Sequence, residues 1–157
     1  MPLSLSSTAF ATGAAIPVAH TCDGADVSPP LAWTGTPRDA AALVLIVDDP
    51  DAPAGTWVHW VLYDLPPSYT ALPAAVGAVA SPPGLGGAVQ GRNDFRRLGY
   101  GGPCPPPGKA HRYFFKLYAL ARKLALPAGA TKADVERAMT DRVLARAELV
   151  GTYARRP

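Results

Sequence analysis

The chain is poor in cysteine, and this scarcity excludes two classes of protein. Its two cysteines, Cys22 and Cys104, lie far apart in the sequence. Two are too few for the disulfide scaffold of a small secreted domain, and their spacing matches no zinc motif. We expect no metal site and no cofactor. In a reducing compartment both cysteines should be thiols, and the sequence leaves open whether they lie side by side.

Long apolar runs are missing as well. No stretch approaches the ~20 residues that a membrane-spanning helix needs. The first twenty residues have neither the cationic start nor the sustained apolar core of a signal peptide. We therefore expect a cytoplasmic protein that is not an integral membrane protein.

Charge is also sparse, and its distribution argues against a nucleic-acid-binding protein. Only 17% of the residues are charged, and the net charge is +3. The arginines cluster at Arg92, Arg96 and Arg97 and again at the C-terminal end, without the interleaved aromatic residues of a nucleic-acid platform. The hydrophobic fraction of 48% instead suits a compact protein, and a length of 157 residues suits one domain over 1–157.

Three strongly apolar segments predict a mainly β protein. They are Ala40–Val47, Thr56–Leu65 and His111–Ala121, all rich in β-branched or aromatic residues. Strict alternation in the second segment would place His59 on one face with its neighbours Trp57, Val61 and Tyr63. Phe10–Val18 predicts a short edge strand.

The C-terminal part predicts one helix. Thr131 and Asp134 have the spacing of a capping box. Val135, Met139, Val143 and Ala147 trace an apolar helical stripe, which Gly151 would end. Leu149–Tyr153 would add a last strand. The fold class that follows is mainly β, with a large antiparallel sheet packed on a smaller one and a C-terminal helix.

The polar residues of greatest interest lie at the ends of the predicted strands. Asp48, Asp49 and Asp51 follow the most apolar run, in a loop stiffened by prolines. His59 and His111 lie near the starts of two other strands. A carboxylate and two imidazoles beside a Gly/Pro-rich loop suggest one polar site on an apolar scaffold. Imidazole N–H groups and the Tyr113 hydroxyl can donate to an anion, and Asp49 can orient a histidine.

At these residues the sequence resembles the phosphatidylethanolamine-binding protein family, which includes the Raf kinase inhibitor proteins, and most of all its bacterial and archaeal branch. The likeness rests on the segments 49–53 (DPDAP), 57–60 (WVHW), 99–106 (GYGGPCPP) and 111–113 (HRY). It extends to segments near both ends and so covers nearly the whole chain.

The resemblance implies a small anion-binding pocket near one end of the sheets. The residues that would line it are Asp49, Pro53, Trp57, His59, Gly102, Cys104, Pro105, His111 and Tyr113. It implies a binding protein for small anions or phosphorylated head groups, and no enzyme.

Two other functions stay open on the sequence. The chain could inhibit or regulate a kinase or protease, or it could be a hydrolase-like enzyme with a histidine as base. For the enzyme, Cys104 is the one candidate nucleophile, and no motif activates it. The sequence also leaves open whether the chain forms a homodimer.

Overall fold

The fold is built on two antiparallel sheets, seen in a computed structural model that describes residues 2–156. The large sheet has the strand order β6-β4-β3-β7-β8, and the small sheet has the order β1-β2-β5. The strands are β1 (Ser4–Ser6), β2 (Leu31–Thr34), β3 (Ala42–Asp49), β4 (Trp57–Leu65), β5 (Ala71–Leu72), β6 (Val89–Gln90), β7 (His111–Leu120) and β8 (Val143–Tyr153). A single helix, α1 (Lys132–Met139), and a 3₁₀ turn at Val18–His20 complete the regular structure of the described residues. The predicted fold class is confirmed.

Two hydrophobic cores lie on opposite faces of the large sheet. One core fills the space between the sheets, where Trp33 of the small sheet belongs to the same buried cluster as Trp60 and Phe115 of the large sheet. The other packs α1, through Val135 and Met139, against the far face of the large sheet. All eight residues of β3 are buried because this strand is central and covered on both sides.

The three strong strands are confirmed, with boundaries shifted by one or two residues. The prediction of an edge strand at Phe10–Val18 is wrong, because these residues form turns with one isolated bridge from Ala15 to Thr152. The segment can pack closely against β8 because Gly151 has no side chain. A side chain at Gly151 would come within 2.5–2.8 Å of Ile16 and Phe10.

The helix prediction is correct at its start and wrong at its end. Thr131 and Asp134 form the expected capping box. The helix stops at Met139, and Val143 and Ala147 belong to β8, which pairs along its length with β7. Gly151 therefore lies within a strand and ends no helix. Sheet pairing overrides the apolar stripe here, since alternate side chains of β8 are turned to solvent.

Candidate functional site

Antiparallel pairing brings three strand ends to one place. β3 ends at Asp49, while its two neighbours β4 and β7 begin at Trp57 and His111. In an antiparallel sheet the end of one strand meets the starts of its neighbours. Residues that are distant in sequence therefore surround one cavity of about 170 Å³. This volume is below the range typical of drug-sized ligands and suits a small one.

Asp49 and His111 form a hydrogen-bonded pair in the cavity wall. The Nδ1 atom of His111 donates to Oδ2 of Asp49 at 2.7 Å, and the Asp51 amide donates to Oδ1 at 2.7 Å. Because a carboxylate only accepts, the imidazole proton lies on Nδ1. The Nε2 atom of His111 is left for a ligand.

His59 reaches the same cavity because β4 contains a bulge. Val47 pairs with Trp60 and Asp48 pairs with Val58, so His59 is an extra residue in the ladder. The prediction that His59 shares a face with Val61 and Tyr63 is therefore wrong, since those two side chains pack in the core beside α1. The bulge turns His59 to the cavity side.

Aromatic packing and one hydrogen bond hold the His59 ring. It packs edge-to-face against Phe95 and Tyr113, with ring centroids 5.4 and 5.2 Å apart. Its Nδ1 atom donates to the Gly101 carbonyl at 2.6 Å. The residue is 3% exposed, and this burial lowers the pKa of His59. His59 is therefore a neutral imidazole with a fixed tautomer.

Tyr113 contributes the most unusual atom of the site. The residue is 1% exposed, and within residues 2–156 its hydroxyl is the only buried side-chain N or O atom without a hydrogen-bond partner of acceptable geometry. Burial raises the pKa of Tyr113 most, and the Asp49 carboxylate, which lies close to the hydroxyl without a hydrogen bond of good geometry, raises it further. The hydroxyl therefore keeps its proton and can donate it to a ligand.

A disulfide holds the loop that forms the remaining wall. Cys104, Pro105 and Pro106 line the cavity, and Cys104 is bonded to Cys22, with the two Cα atoms 5.4 Å apart. The amide of Cys22 also donates to the Pro103 carbonyl. The expectation of two thiols is corrected, because the fold brings these distant cysteines together.

Of the nine residues proposed from the sequence, eight line the cavity and Gly102 does not. Gly102 lies behind the wall, where its amide donates to Asp26 at 2.7 Å and a Cβ atom would come within 2.3 Å of the His20 carbonyl. It is a site of close backbone approach. The role of all nine residues in ligand binding stays a prediction.

Sequence reasoning missed three lining residues, Ala52, Phe95 and Pro106. Phe95 packs at the mouth against Trp57, with ring centroids 5.5 Å apart. Ala52 and Pro106 lie beside predicted residues and would have been found by extending each segment by one position. Phe95 has no periodic signal, since it lies in a loop.

The two acidic residues nearest to Asp49 in the sequence, Asp48 and Asp51, form ion pairs outside the cavity. Arg112 holds Asp51 through two side-chain hydrogen bonds of 2.8 and 2.9 Å, and these lower the pKa of Asp51 to about 2. Asp48 points to the opposite face of the sheet, where it accepts from Lys116 and Lys132. Asp49 is thus the acidic residue of this loop that lines the cavity.

The described part of the chain has no group of three or more histidine, cysteine, aspartate or glutamate residues that could hold a metal ion. Nor does it contain a helix long and apolar enough to cross a membrane.

The sequence and the structure of this chain are both similar to those of known proteins. The sequence model described as phosphatidylethanolamine-binding protein matches residues 6–154. A UPF0098 protein of Methanothermobacter thermautotrophicus is 50% identical over 153 residues, which are 98% of this chain and 99% of that protein. A UPF0098 protein of Aquifex aeolicus is 48% identical over 95% of this chain and 86% of its own length.

Two crystal structures resemble the fold. One is described as a phosphatidylethanolamine-binding protein homolog from Chlamydia trachomatis; it has a TM-score of 0.89 and 40% identity, and 98% of each chain is covered. The other is E. coli YbcL, described as a member of the mammalian family. It has a TM-score of 0.91 and 34% identity, covering 98% of this chain and 99% of that one.

Proposed function

The chain belongs to the phosphatidylethanolamine-binding protein family, and from this premise we propose that its cavity binds small anions of the phosphorylated head-group type. Family membership suggests a ligand-binding protein. The chemistry of the cavity supports the narrower assignment, because the Tyr113 hydroxyl can donate to a phosphate oxygen. The Nε2 atoms of His59 and His111, whose rings donate through Nδ1 to the protein, can accept from an N–H or O–H group of the same ligand.

The unpartnered Tyr113 hydroxyl is the observation that carries this proposal. Leaving a buried polar group unpaired costs about 1–3 kcal/mol. A ligand oxygen in the cavity would supply the missing partner.

Tyr113→Phe tests the proposal. We expect the free variant to be as stable as the parent or more stable by about 1 kcal/mol, because no hydrogen bond is lost. We also expect the rise in melting temperature caused by phosphoethanolamine to shrink. Thermal unfolding with and without phosphoethanolamine measures both effects.

Tyr63→Phe is the matched control. Tyr63 is equally buried, lies in the core beside α1, and donates to the Pro127 carbonyl. This variant should lose about 1 kcal/mol of stability and keep the full response to ligand. The proposal is wrong if neither phosphate nor phosphoethanolamine raises the melting temperature of the parent protein.

We further propose that the chain is not an enzyme. Cys104, the candidate nucleophile, is bonded to Cys22, which removes the thiolate that nucleophilic attack requires. Hydrolysis of p-nitrophenyl phosphate that persists in pure protein and disappears in His59→Gln would contradict this.

A further inference from the structure

The disulfide between Cys22 and Cys104 lies at the surface of the protein. Cys104 is exposed and Cys22 is half-buried. Exposed disulfides are reduced more readily than the structural ones that stabilise secreted domains, and labile and regulatory disulfides belong to the exposed class. Because Cys104 also lines the cavity, a reductant that reaches this bond acts directly on the cavity wall.

A cation lies beside the exposed sulfur. The Nη1 atom of Arg155 lies 3.9 Å from Sγ of Cys104. The Nη2 atom of the same guanidinium pairs with Asp23 at 3.1 Å, and Asp23 also accepts from the Tyr153 hydroxyl at 2.6 Å. Asp23 therefore holds the guanidinium against the sulfur. A cation beside a cysteine favours the thiolate, which is both the attacking and the leaving species in thiol–disulfide exchange.

The loop that carries Cys104 is also held at both ends by backbone hydrogen bonds. Before the disulfide, the Pro103 carbonyl accepts from the Cys22 amide at 3.0 Å. After it, the Gly108 amide donates to the Arg155 carbonyl at 3.0 Å. Cleavage of the S–S bond therefore releases the middle of the loop, residues 104–106, which line the cavity, while both ends stay attached.

We propose that the Cys22–Cys104 bond is a redox-active site that a dithiol reduces reversibly, and that its redox state sets the shape of the cavity wall. One thiolate of the dithiol attacks Sγ of Cys104 and forms a mixed disulfide, while the bond to Cys22 breaks and Cys22 leaves as a thiolate that takes a proton from water. The second thiolate of the dithiol then attacks the dithiol's own sulfur in the mixed disulfide and releases Cys104 as a thiolate beside Arg155. Two electrons pass to the protein, and the dithiol becomes a disulfide.

Reduction of the folded protein by thioredoxin, used as a protein dithiol, tests the proposal. The protein is incubated with reduced thioredoxin in the absence of denaturant and quenched with iodoacetamide, and its alkylated cysteines are counted by mass spectrometry. We expect both cysteines to be alkylated, and the bond to form again when thioredoxin is replaced by oxidised glutathione. A bond that is reduced only in denaturant would be structural and would overturn the proposal.

Amide NMR spectra of the oxidised and the reduced protein test the effect on the cavity wall. We expect shifts in segments 20–26 and 102–108 and in the residues that line the cavity, with β3 and α1 otherwise unchanged. Shifts confined to the two cysteines, or the spectrum of an unfolded chain, would overturn the claim that redox state sets the wall. Neither measurement uses a cavity ligand, so their outcome is independent of the proposed function.

A thioredoxin whose second cysteine is replaced by serine stops the exchange at the mixed disulfide and so identifies the attacked sulfur. We expect the mixed disulfide on Cys104 and alkylation on Cys22. A mixed disulfide on Cys22 would overturn the assignment of Cys104 as the attacked residue.

Arg155→Gln tests the role of the cation and keeps the backbone carbonyl that holds Gly108. We expect the mixed disulfide to form roughly two- to fivefold more slowly, the factor that a surface ionic contact supports. Arg156→Gln is the matched control, because it removes the same charge from the adjacent, exposed residue, and its rate should equal that of the parent. Equal rates in the two variants would show that Arg155 does not assist the exchange.

Discussion

Asp48 and Asp49 are adjacent in sequence, equally buried, and opposite in chemical environment. Asp48 is 1% exposed and accepts from two lysines, at 3.1 Å from Lys116 and 2.8 Å from Lys132. Asp49 is 3% exposed and accepts from one imidazole. Strand alternation sends the two carboxylates to opposite faces of the sheet. Asp48 is paired with two lysine ammonium groups, whereas the donors to Asp49 are a histidine ring and a backbone amide.

This difference distinguishes a carboxylate that is satisfied by two ion pairs from one that lines the cavity. Two lysines satisfy Asp48 and leave it little to offer a ligand. Asp49 instead orients a histidine whose second nitrogen remains open, as in sites where a carboxylate fixes an imidazole tautomer. Burial alone would not have distinguished them.

We expect the largest loss of stability from removing the Cys22–Cys104 disulfide, which belongs to the wall of the cavity that Asp49 lines. The bond spans 82 residues, so its removal in the Cys22→Ser/Cys104→Ser variant should lower the free energy of unfolding by about 4 kcal/mol. Phosphoethanolamine binding should weaken as well, because Cys104 belongs to the cavity wall. Urea unfolding and calorimetry measure the two effects. Undiminished binding in the variant would show that the wall does not depend on this bond.

Asp48→Asn should have the next largest effect. It leaves two lysine ammonium groups beside a neutral amide and should cost about 2–3 kcal/mol, below the value for fully buried pairs because both lysines partly reach solvent. Phosphoethanolamine affinity should stay within about twofold of the parent value. A large loss of affinity in this variant would remove the functional distinction between the two carboxylates.

Asp49→Asn should have the opposite effect, with a small loss of stability and a larger loss of ligand affinity. The amide oxygen can still accept from His111, so stability should fall by only about 1 kcal/mol. A neutral amide accepts a weaker hydrogen bond than a carboxylate and orients His111 less firmly, so affinity for phosphoethanolamine should fall about tenfold. Calorimetry beside urea unfolding tests both expectations. Unchanged affinity would show that the charge of Asp49 plays no part in binding.

The smallest effect is the dependence of stability on pH through His59. Burial lowers its pKa in the folded protein, so the unfolded chain takes up this proton first as the pH falls. The His59 contribution is therefore complete above the unfolded pKa of ~6.5 and is lost as the pH falls below it toward the lower folded pKa. The difference in unfolding free energy between the parent and His59→Gln isolates it. A difference that does not change with pH over this range would contradict the assignment.

Much of the fold could be predicted because the signals are local. The apolar runs of β3, β4 and β7 and the capping box at Thr131 depend on near neighbours, and all four are confirmed. Antiparallel pairing then implies that the end of β3 meets the starts of β4 and β7, which explains why Asp49, His59 and His111 could be grouped in advance.

The errors occur where pairing between distant segments decides the structure. β8 is a strand in spite of its helical stripe, because β7 offers it a full ladder of hydrogen bonds. The bulge at His59 breaks the alternation that the sequence implies. Neither has a local signal, since each depends on which residue lies opposite.

The sequence by itself determined that the chain forms apolar strands with a carboxylate and two imidazoles at their ends. The alternation of side chains along a strand and the termination of a strand by proline both depend only on neighbouring residues. Only the tertiary structure decided that His59 turns into the cavity, that Cys22 meets Cys104 and that the Tyr113 hydroxyl is left without a partner. These depend on distances between atoms whose residues are separated by tens of positions along the chain.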